Sequence, residues 1–241
     1  MIKVSSLSKK FGDFYAIKDI SFEVAEGEIF GLLGENGAGK TTTLRTIATM
    51  LKPSEGTAEI SGYDIIEESE KARGCIGILF GGESGLYDRL TAYENIEYFS
   101  RLNGMAEPDI KERIKYLSTV FGIDDFLNKR AGKFSKGMKQ KVAFARAIVH
   151  NPNAMLFDEP TTGLDVSTIR DVHEFIMNCS KEGKSIILSS HTMSEVEKLC
   201  NRIGIIHKGN LIDVGTTSEL ISKYGKNSLE EVFIELVGGN R

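Results

Sequence analysis

The segment Gly34-Glu-Asn-Gly-Ala-Gly-Lys40-Thr41 has the residue types and spacing of a loop that binds phosphate. It fits G-x-x-x-x-G-K-[ST] between a short apolar run and a helical segment, the context that this motif requires. Glycines let backbone N–H groups turn toward phosphate oxygens, and the positive end of the helix faces the same point. We expect Lys40 to reach the β- and γ-phosphates and Thr41 to bind Mg²⁺. The alternative is a structural glycine turn.

A second group with chemical potential is the acid pair Asp158 and Glu159, which follows the apolar run Met155–Phe157. Such a run delivers carboxylates to the carboxyl edge of a sheet, where ligands of α/β folds bind. We expect Asp158 to hold Mg²⁺, directly or through water, and Glu159 to orient and polarise an attacking water. Alone, the pair suits a helix N-cap equally well; beside a phosphate loop it indicates hydrolysis.

Short apolar runs are the elements that must position these residues. We expect strands at Ile2–Leu7, Phe14–Val24, Glu28–Leu33, Thr57–Ile60, Ala154–Phe157, Ser185–Leu188 and Arg202–Ile206, and a helix at Lys40–Met50. Apolar runs of this length, separated by helical segments, favour strands buried on both faces of a parallel sheet. The N-terminal runs predict a small antiparallel β region beside that α/β core.

The stretch from about residue 85 to 135 has a different, helical periodicity. Ile110, Ile114, Leu117 and Phe121 recur at steps of four, three and four residues, which places them on one face of a helix. The sequence therefore predicts a helical subdomain inserted into the α/β core.

Composition excludes several other classes. The 241 residues are 41% apolar and 27% charged with a net charge of -4, which argues against a primary nucleic-acid binder. The three cysteines are too widely spaced for a zinc site. No apolar run approaches the roughly 18 residues of a spanning helix, so we expect the chain not to cross a membrane by itself.

Three further segments carry a resemblance to a known family. The segment Phe134-Ser-Lys-Gly-Met-Lys-Gln-Lys141 resembles the L-S-G-G-Q signature of ABC ATPases, with Ser135 and Gly137 matching and Lys136 and Met138 replacing a glycine and a glutamine. Asp158 to Asp165, DEPTTGLD, resembles the Walker B segment and D-loop, and Ser189-Ser-His191 resembles the switch-histidine loop. Phe11 is similar in position to the aromatic that stacks on adenine.

This resemblance implies a fold, a cofactor and partners. The fold would be an α/β P-loop NTPase with a RecA-like parallel-sheet core, an N-terminal antiparallel β subdomain and the inserted helices, over residues 1–225, followed by a C-terminal tail at 226–241. The cofactors would be ATP and Mg²⁺. The partners would be a separate transmembrane permease and a second ATPase subunit, in a head-to-tail dimer of identical chains on the cytoplasmic face of the membrane, with no nucleic acid.

The resemblance also assigns roles to residues. Ser135 and Gly137 of one subunit would close on the ATP of the other, Asp165 would link the two sites, and His191 would contact the γ-phosphate and the attacking water. Glu159, His191 and Lys40 are then the expected catalytic residues. The expected nucleotide contacts in the phosphate loop are Gly34, Glu35, Asn36, Gly37, Ala38, Gly39, Lys40, Thr41 and Thr42. His150, His173 and His207 are expected at a helix end, in a helix and in a turn, without catalytic roles.

Resemblance to particular branches of the family predicts the transported cargo. The stretch Gly85–Ile96 resembles ATPases of ABC-2-type exporters, and Glu28–Lys52 and Ile76–Asn95 resemble the sodium-extruding, Nat-type branch. An exporter of drugs, antibiotics or polymers is the alternative. Two alternatives come from other classes: a soluble ABC ATPase of translation or DNA maintenance, and a regulatory module that binds nucleotide without hydrolysis. The presence of Glu159 and His191 argues against the regulatory module.

One expected residue is missing. ABC ATPases usually carry a glutamine after the strand that precedes the helical subdomain, where it helps to bind Mg²⁺. Here the run Cys75–Phe80 leads into Gly81-Gly-Glu-Ser-Gly85, so Gly81 takes that place. We expect water or Glu83 to complete the metal shell, and the loop to be mobile without nucleotide.

Overall fold

The computed structural model of the chain describes residues 1–80 and 85–238. Its strands are β1 (Ile2–Phe11), β2 (Phe14–Val24), β3 (Ile29–Leu33), β4 (Glu55–Ile60), β5 (Tyr63–Asp64), β6 (Ile76–Leu79), β7 (Ala154–Asp158), β8 (Ser185–Ser190), β9 (Arg202–His207) and β10 (Asn210–Gly215). Its α-helices are α1 (Lys40–Ile47), α2 (Ser69–Gly74), α3 (Ala92–Leu102), α4 (Glu107–Phe121), α5 (Lys136–Ile148), α6 (Val166–Lys181), α7 (Met193–Leu199), α8 (Thr217–Tyr224) and α9 (Leu229–Gly238).

A six-stranded sheet of order β10-β9-β3-β8-β7-β6 forms the centre of the fold. The pairs β9–β3, β3–β8, β8–β7 and β7–β6 are parallel, and β10 runs antiparallel to β9. Every residue of β3, β7 and β8 is buried. This confirms the prediction of short apolar strands covered on both faces, and it aligns the carboxyl ends of β3, β7 and β8 at one edge.

A second, antiparallel sheet of order β2-β1-β4-β5 comes from the N-terminal part of the chain. Its apolar side chains and those of α1 share one buried cluster with the six-stranded sheet: Val4 and Ile20 pack with Leu44 and with Leu156. Helix α1 is therefore held between the two sheets. The expected antiparallel β region is confirmed. Strand β1 ends at Phe11 and not at the predicted Leu7; irregularities in its pairing with β2 interrupt the alternation of apolar residues from which the end was predicted.

The helical region packs on the other face of the six-stranded sheet. Ile110, Ile114, Leu117 and Phe121 of α4 are all buried, as the periodicity predicted. They belong to a cluster that includes Phe144 of α5 and Phe157 of β7. The helices thus rest on the strand that ends at the acid pair.

The C-terminal segment is more ordered than a tail. Residues 226–241 were expected to form a C-terminal tail. Leu229, Val232 and Phe233 of α9 are instead buried beside Leu220 of α8. Apolar side chains three and four residues apart form one helix face, and burial of that face holds α9 on the domain. Within residues 1–80 and 85–238, no helix combines the length and hydropathy that a membrane span needs.

Candidate functional site

The phosphate loop lies between the end of β3 and the start of α1, as the motif predicts. Gly37 and Gly39 have φ values of 82° and 112°, in the region that favours glycine. A Cβ on Gly39 would stand 2.7 Å from the carbonyl oxygen of Ala16, and one on Gly34 would stand 2.5 Å from that of Ile206. No side chain in the described part of the chain caps the N-terminus of α1. Its first N–H groups are therefore open to an anion.

Lys40 begins α1 and is only 5% exposed. Its ammonium nitrogen donates to the carbonyl oxygens of Gly34 at 2.7 Å and Glu35 at 3.1 Å, and it lies 3.6 Å from Oε1 of Glu159. Burial lowers the pKa of Lys40, and the nearby carboxylates of Glu159 and Asp158 offset only part of that effect. The loop thus holds a buried cation against its own backbone.

Thr41 and Asp158 form the corner predicted to hold a metal. The Thr41 hydroxyl donates to Oδ2 of Asp158 at 2.7 Å, and the Ser189 hydroxyl donates to Oδ1. Asp158 ends β7, so the neighbouring strand β8 brings Ser189 alongside it. A hydroxyl and a carboxylate in contact provide the oxygen ligands that Mg²⁺ prefers. The residues present therefore fit a magnesium ion shared with a nucleotide.

Glu159 and His191 meet at the carboxyl ends of β7 and β8. Nδ1 of His191 lies 3.1 Å from Oε1 of Glu159, and Thr162 donates to Oε2 at 3.3 Å. The Glu159 N–H donates to the carbonyl of Ser189 at 3.1 Å, and its φ of 46° turns the chain sharply away from the strand. One carboxylate is thereby presented to both the phosphate-loop lysine and the histidine.

An open cavity of about 200 Å³ lies over the phosphate loop. It is lined by Phe14, Ala16, Asn36, Gly37, Gly39, Lys40, Thr41, Thr42 and Glu159. Gly34, Glu35 and Ala38 of the predicted set do not line it: the Gly34 and Glu35 carbonyls hold Lys40, and Ala38 is buried. The structure thus brings most of the predicted loop residues to one space beside the acid.

The aromatic residue at this cavity is Phe14, which the sequence analysis did not single out. Phe11, the residue predicted to stack on adenine, is directly opposite Phe14 in the β1–β2 pairing and is 50% exposed. Opposed residues of an antiparallel pair share a face, so the two rings lie on the same side of the hairpin. The sequence contained one sign of a role for Phe14, namely a second aromatic residue three positions after Phe11.

Ser135, Gly137 and Asp165 form a separate cluster outside that cavity. Ser135 is the N-cap of α5 and accepts from the Met138 N–H at 3.2 Å. A Cβ on Gly137 would stand 3.6 Å from Oδ2 of Asp165, the N-cap of α6. Hydrogen bonds from Ser167 and Thr168 hold the pKa of Asp165 well below its usual range. The signature and the D-loop therefore adjoin each other within one chain, apart from the phosphate loop.

The remaining histidines have local roles. His150 follows α5 with Nε2 3.1 Å from the carbonyl of Ile76, and His173 lies in α6 with Nε2 3.1 Å from Glu195. His207 is the last residue of β9 rather than part of a turn, because its backbone pairs with Asn210 of β10. The expected magnesium contributor Glu83 and the glycine at position 81 lie outside the described residues.

Comparisons with known proteins agree with this geometry. A family model described as ABC transporter matches residues 17–162. The chain is 46% identical to the ABC transporter ATP-binding protein NatA of Bacillus subtilis strain 168, over 99% of both chains. It is 35% identical to the linearmycin resistance ATP-binding protein LnrL of the same organism, over 97% of this chain and 75% of that protein.

A solved structure of an ATP-binding cassette, dimeric in a post-hydrolysis state with ADP and Pi, superposes with a TM-score of 0.80 at 27% identity. The superposition covers 90% of this chain and 98% of that one. The family match spans more than half of the chain and includes the phosphate loop and the acid pair. The chain therefore belongs to the ABC transporter family, as an ATP-binding subunit that hydrolyses ATP.

Proposed function

We propose that this subunit powers an exporter and that the exported cargo is sodium ion. The observation that carries the proposal is the resemblance of Glu28–Lys52 and Ile76–Asn95 to the sodium-extruding branch, joined with full-length similarity to NatA at 46% identity. The ATPase subunit of such a transporter supplies energy and does not itself select the cargo. The proposed cargo therefore depends on this similarity, whereas the proposed mechanism of ATP hydrolysis depends on the geometry of the phosphate-loop site.

ATP would bind with its phosphates over the phosphate loop. The N–H groups of Asn36, Gly37 and Gly39 to Thr42 would supply donors at the uncapped end of α1, and Lys40 would supply the charge facing the β- and γ-phosphates. Because Lys40 already sits in a buried cradle of carbonyl oxygens, little side-chain freedom is lost when phosphate arrives. Phe11 would stack on adenine, with Phe14 beside it.

Thr41 and Asp158 would hold the magnesium ion of the Mg–ATP complex, on the evidence of their direct hydroxyl–carboxylate contact. When bound, the ion neutralises negative charge that develops on the phosphate oxygens. Ser189 fixes the Asp158 carboxylate from the other side by donating to Oδ1. The carboxylate is thus oriented by two hydroxyl groups before any nucleotide arrives.

Glu159 would act on the water that attacks the γ-phosphorus. As the new oxygen–phosphorus bond forms, the bond from the γ-phosphorus to the bridging oxygen breaks, ADP departs, and the water proton passes to the Glu159 carboxylate. His191 would hold that carboxylate through Nδ1 at 3.1 Å. Contact between its Nε2 and a γ-phosphate oxygen requires a proton on both ring nitrogens, because phosphate oxygens only accept. The products are ADP and inorganic phosphate.

The second half of each site would come from a second copy of the chain. Ser135 and Gly137 lie outside the phosphate-loop cavity, so the signature of one chain does not line the space expected for its own phosphates. We infer that two chains join head to tail, with the signature of each closing on the ATP of the other and Asp165 linking the sites. In this proposal the ATPase domain is residues 1–225, with the helical subdomain at about 85–135, and α9 packs against it.

The membrane partner would be a separate permease, with the ATPase bound peripherally at the cytoplasmic face. Closure of the two ATPase subunits around ATP would move that permease between its two states. The helical subdomain, which rests on the strand carrying Asp158, is suited to transmit closure because it joins the signature helix α5 to the sheet.

The cargo is tested by purifying the chain with its permease and reconstituting the complex into proteoliposomes. With ATP and Mg²⁺ outside, where the ATPase faces, we expect uptake of radioactive sodium that stops when Lys40→Ala replaces the native subunit. ATP hydrolysis without sodium uptake would reject the cargo and leave the ATPase assignment intact. Reconstituted complex without any ATP hydrolysis would reject both.

Antibiotic export is the second candidate, and the similarity to the linearmycin resistance protein LnrL favours it. If it is correct, deletion of the chain lowers resistance to a membrane-active antibiotic, and sodium tolerance does not change. A soluble ABC ATPase, the candidate from another class, would sediment with ribosomes or bind DNA instead of a membrane protein. Sedimentation of native extracts separates this class from a transporter.

A further inference from the structure

Glu195 of α7 is a buried carboxylate that the roles given above do not use. It is 7% exposed. Its Oε1 accepts from the Thr161 hydroxyl at 2.7 Å and from Nε2 of His173 at 3.1 Å, and its Oε2 accepts from the Ser190 hydroxyl at 2.7 Å. Three elements therefore converge on one carboxylate: the segment after β7, helix α6 and the end of β8.

These partners flank the two residues that act on the γ-phosphate. Thr161 follows Glu159 by two positions, and Ser190 directly precedes His191. The Ser190 hydroxyl also accepts from the Thr192 N–H at 3.0 Å, so the backbone on both sides of His191 is tied to it. Glu195 thus connects the segment that carries the acid with the loop that carries the histidine.

The position of Glu195 in its helix makes this arrangement specific. It is the third residue of α7, where a glutamate commonly bonds back to the N-cap N–H. Glu94 in α3 and Glu219 in α8 do so in complete capping boxes. In α7 the N-cap N–H of Thr192 bonds instead to Ser190, and Glu195 points inward. The carboxylate therefore serves the contact between elements rather than its own helix.

His173 completes the network from the α6 side. Its Nε2 meets the Glu195 carboxylate, while its buried Nδ1 has no hydrogen-bond partner among the residues that the structure describes. A neutral imidazole that meets an acceptor through Nε2 must carry its proton there. The D-loop residue Asp165 is the N-cap of α6, so this bond ties the helix that follows the D-loop to Glu195.

We propose that Glu195 is a positioning residue for ATP hydrolysis, which holds the segment of Glu159 and the loop of His191 in register with each other. The inference rests on the hydrolytic roles of Glu159 and His191 given above. A cavity of about 500 Å³ adjoins the network, with Thr161, His173, Ser190 and Glu195 in its lining. Without the carboxylate, the two segments have room to move apart.

The test compares Glu195→Ala with Glu197→Ala, an exposed glutamate on the same helix. Because ATP contacts the phosphate loop, we expect kcat of Glu195→Ala to fall about tenfold or more while KM for ATP stays within about twofold. Glu197→Ala keeps wild-type values. A wild-type kcat for Glu195→Ala, or a rise in KM that accounts for the loss of rate, overturns the proposal.

A milder variant covers the case in which Glu195→Ala fails to fold. Thr161→Val keeps the side-chain shape and removes only the bond from the Glu159 segment, so kcat falls with KM unchanged. A folded Thr161→Val with wild-type kcat overturns the proposal.

Histidine NMR gives a readout that does not depend on turnover. The chain has four histidines, so the ring signals can be assigned one by one. In a folded variant that breaks the network, the His191 ring signal moves, whereas Glu197→Ala leaves it in place. An unmoved His191 signal overturns positioning even if kcat falls. A wild-type chain that hydrolyses no ATP rejects the proposed function instead, and the His191 shift still reports on the network.

Discussion

The ammonium nitrogen of Lys40 lies 3.6 Å from a carboxylate oxygen of Glu159. The same oxygen lies 3.1 Å from Nδ1 of His191. The phosphate-loop cation and the proton acceptor are thus in one ion pair before phosphate is present to separate them. Binding and turnover depend on different ends of this pair, so substitutions at the two ends have different consequences.

Glu159→Gln should uncouple ATP binding from hydrolysis. The amide keeps the shape of the side chain but cannot take the water proton, so we expect kcat to fall by about a hundredfold or more. ATP should still bind and hold two chains together, because the phosphate-loop contacts remain. Light scattering after gel filtration with ATP and Mg²⁺ should show a dimer. Glu174→Gln, exposed on α6, is the matched control and should turn over normally. A Glu159→Gln variant with wild-type turnover would mean that another group activates the water.

Lys40→Ala should remove ATP binding itself. The buried ammonium is the charge closest to the expected phosphates, and its loss leaves two carbonyl oxygens without a donor. We expect the affinity for ATP to fall by about a hundredfold, consistent with about 3 kcal/mol for hydrogen bonds to a charged group. Isothermal titration calorimetry measures this, with the exposed Lys52→Ala as control. Equal affinities in the two variants would contradict the placement of the phosphates.

Gly39→Ala should disrupt the phosphate loop without touching any charge. The φ of 112° disfavours a side chain, and its Cβ would stand 2.7 Å from the carbonyl oxygen of Ala16. We expect a loss of about 2 kcal/mol in the free energy of unfolding, measured by urea denaturation, together with weaker ATP binding. Gly74→Ala has open space around its Cβ and serves as the control. If both variants are equally stable, the loop tolerates a side chain here.

Phe11 and Phe14 can be distinguished by substitution one at a time. Stacking of a base on an aromatic ring contributes about 1–3 kcal/mol. We expect Phe11→Ala to raise KM for ATP by about tenfold with kcat preserved, and Phe14→Ala to have the smaller effect. Parallel assays with GTP show whether the base is the part that loses contact. A larger effect in Phe14→Ala would transfer the adenine contact to the ring that lines the cavity.

The contribution of Glu195 to the free energy of unfolding should be lost at acid pH. Burial raises its pKa, but hydrogen bonds from His173, Thr161 and Ser190 outweigh burial, so the pKa lies below its ordinary value of 4.5. Such a group adds stability above its unfolded pKa and loses this contribution as pH falls through its folded pKa. Wild type should therefore exceed Glu195→Gln in unfolding free energy at pH 7, and the difference should shrink below about pH 4.5.

Urea titrations across this pH range measure the difference, with Glu197→Gln as the control. His173 is the titratable neighbour, and its protonation must be followed in the same samples. A constant difference between wild type and Glu195→Gln down to pH 3 would show that the carboxylate has no depressed pKa.

The parts of the site that the sequence predicted are those encoded in contiguous motifs. The phosphate loop and the acid pair are each encoded in one local segment. Spacing alone therefore predicted roles for Lys40 and Thr41, and the apolar run before the acid pair, read together with that loop, predicted roles for Asp158 and Glu159. Element ends were less certain. Helix α1 stops at Ile47 rather than at Met50, because Thr49 takes a φ of 60° and the Met50 N–H turns back to the Arg45 carbonyl.

The parts that escaped sequence analysis depend on contacts between distant segments. Phe14 reaches the cavity only through hairpin pairing, and Glu195 gains its partners from three separate elements. The burial of α9 was missed for a similar reason, since its apolar face has meaning only beside α8 and the sheet. Neither Glu195 nor the apolar face of α9 belongs to a motif that names its partners, so the sequence alone did not predict these contacts.

The backbone of Glu159 also bears on how this protein can evolve. A φ of 46° places a side-chain-bearing residue in the left-handed region, where glycine is favoured, at a cost of about 1 kcal/mol. Glycine here would relieve that strain, but it would also remove the carboxylate beside the buried ammonium of Lys40 and leave a protein that cannot turn over ATP. Screens of this chain for stability should therefore also measure ATP hydrolysis, because a substitution that relieves backbone strain at position 159 removes the group that acts on the attacking water.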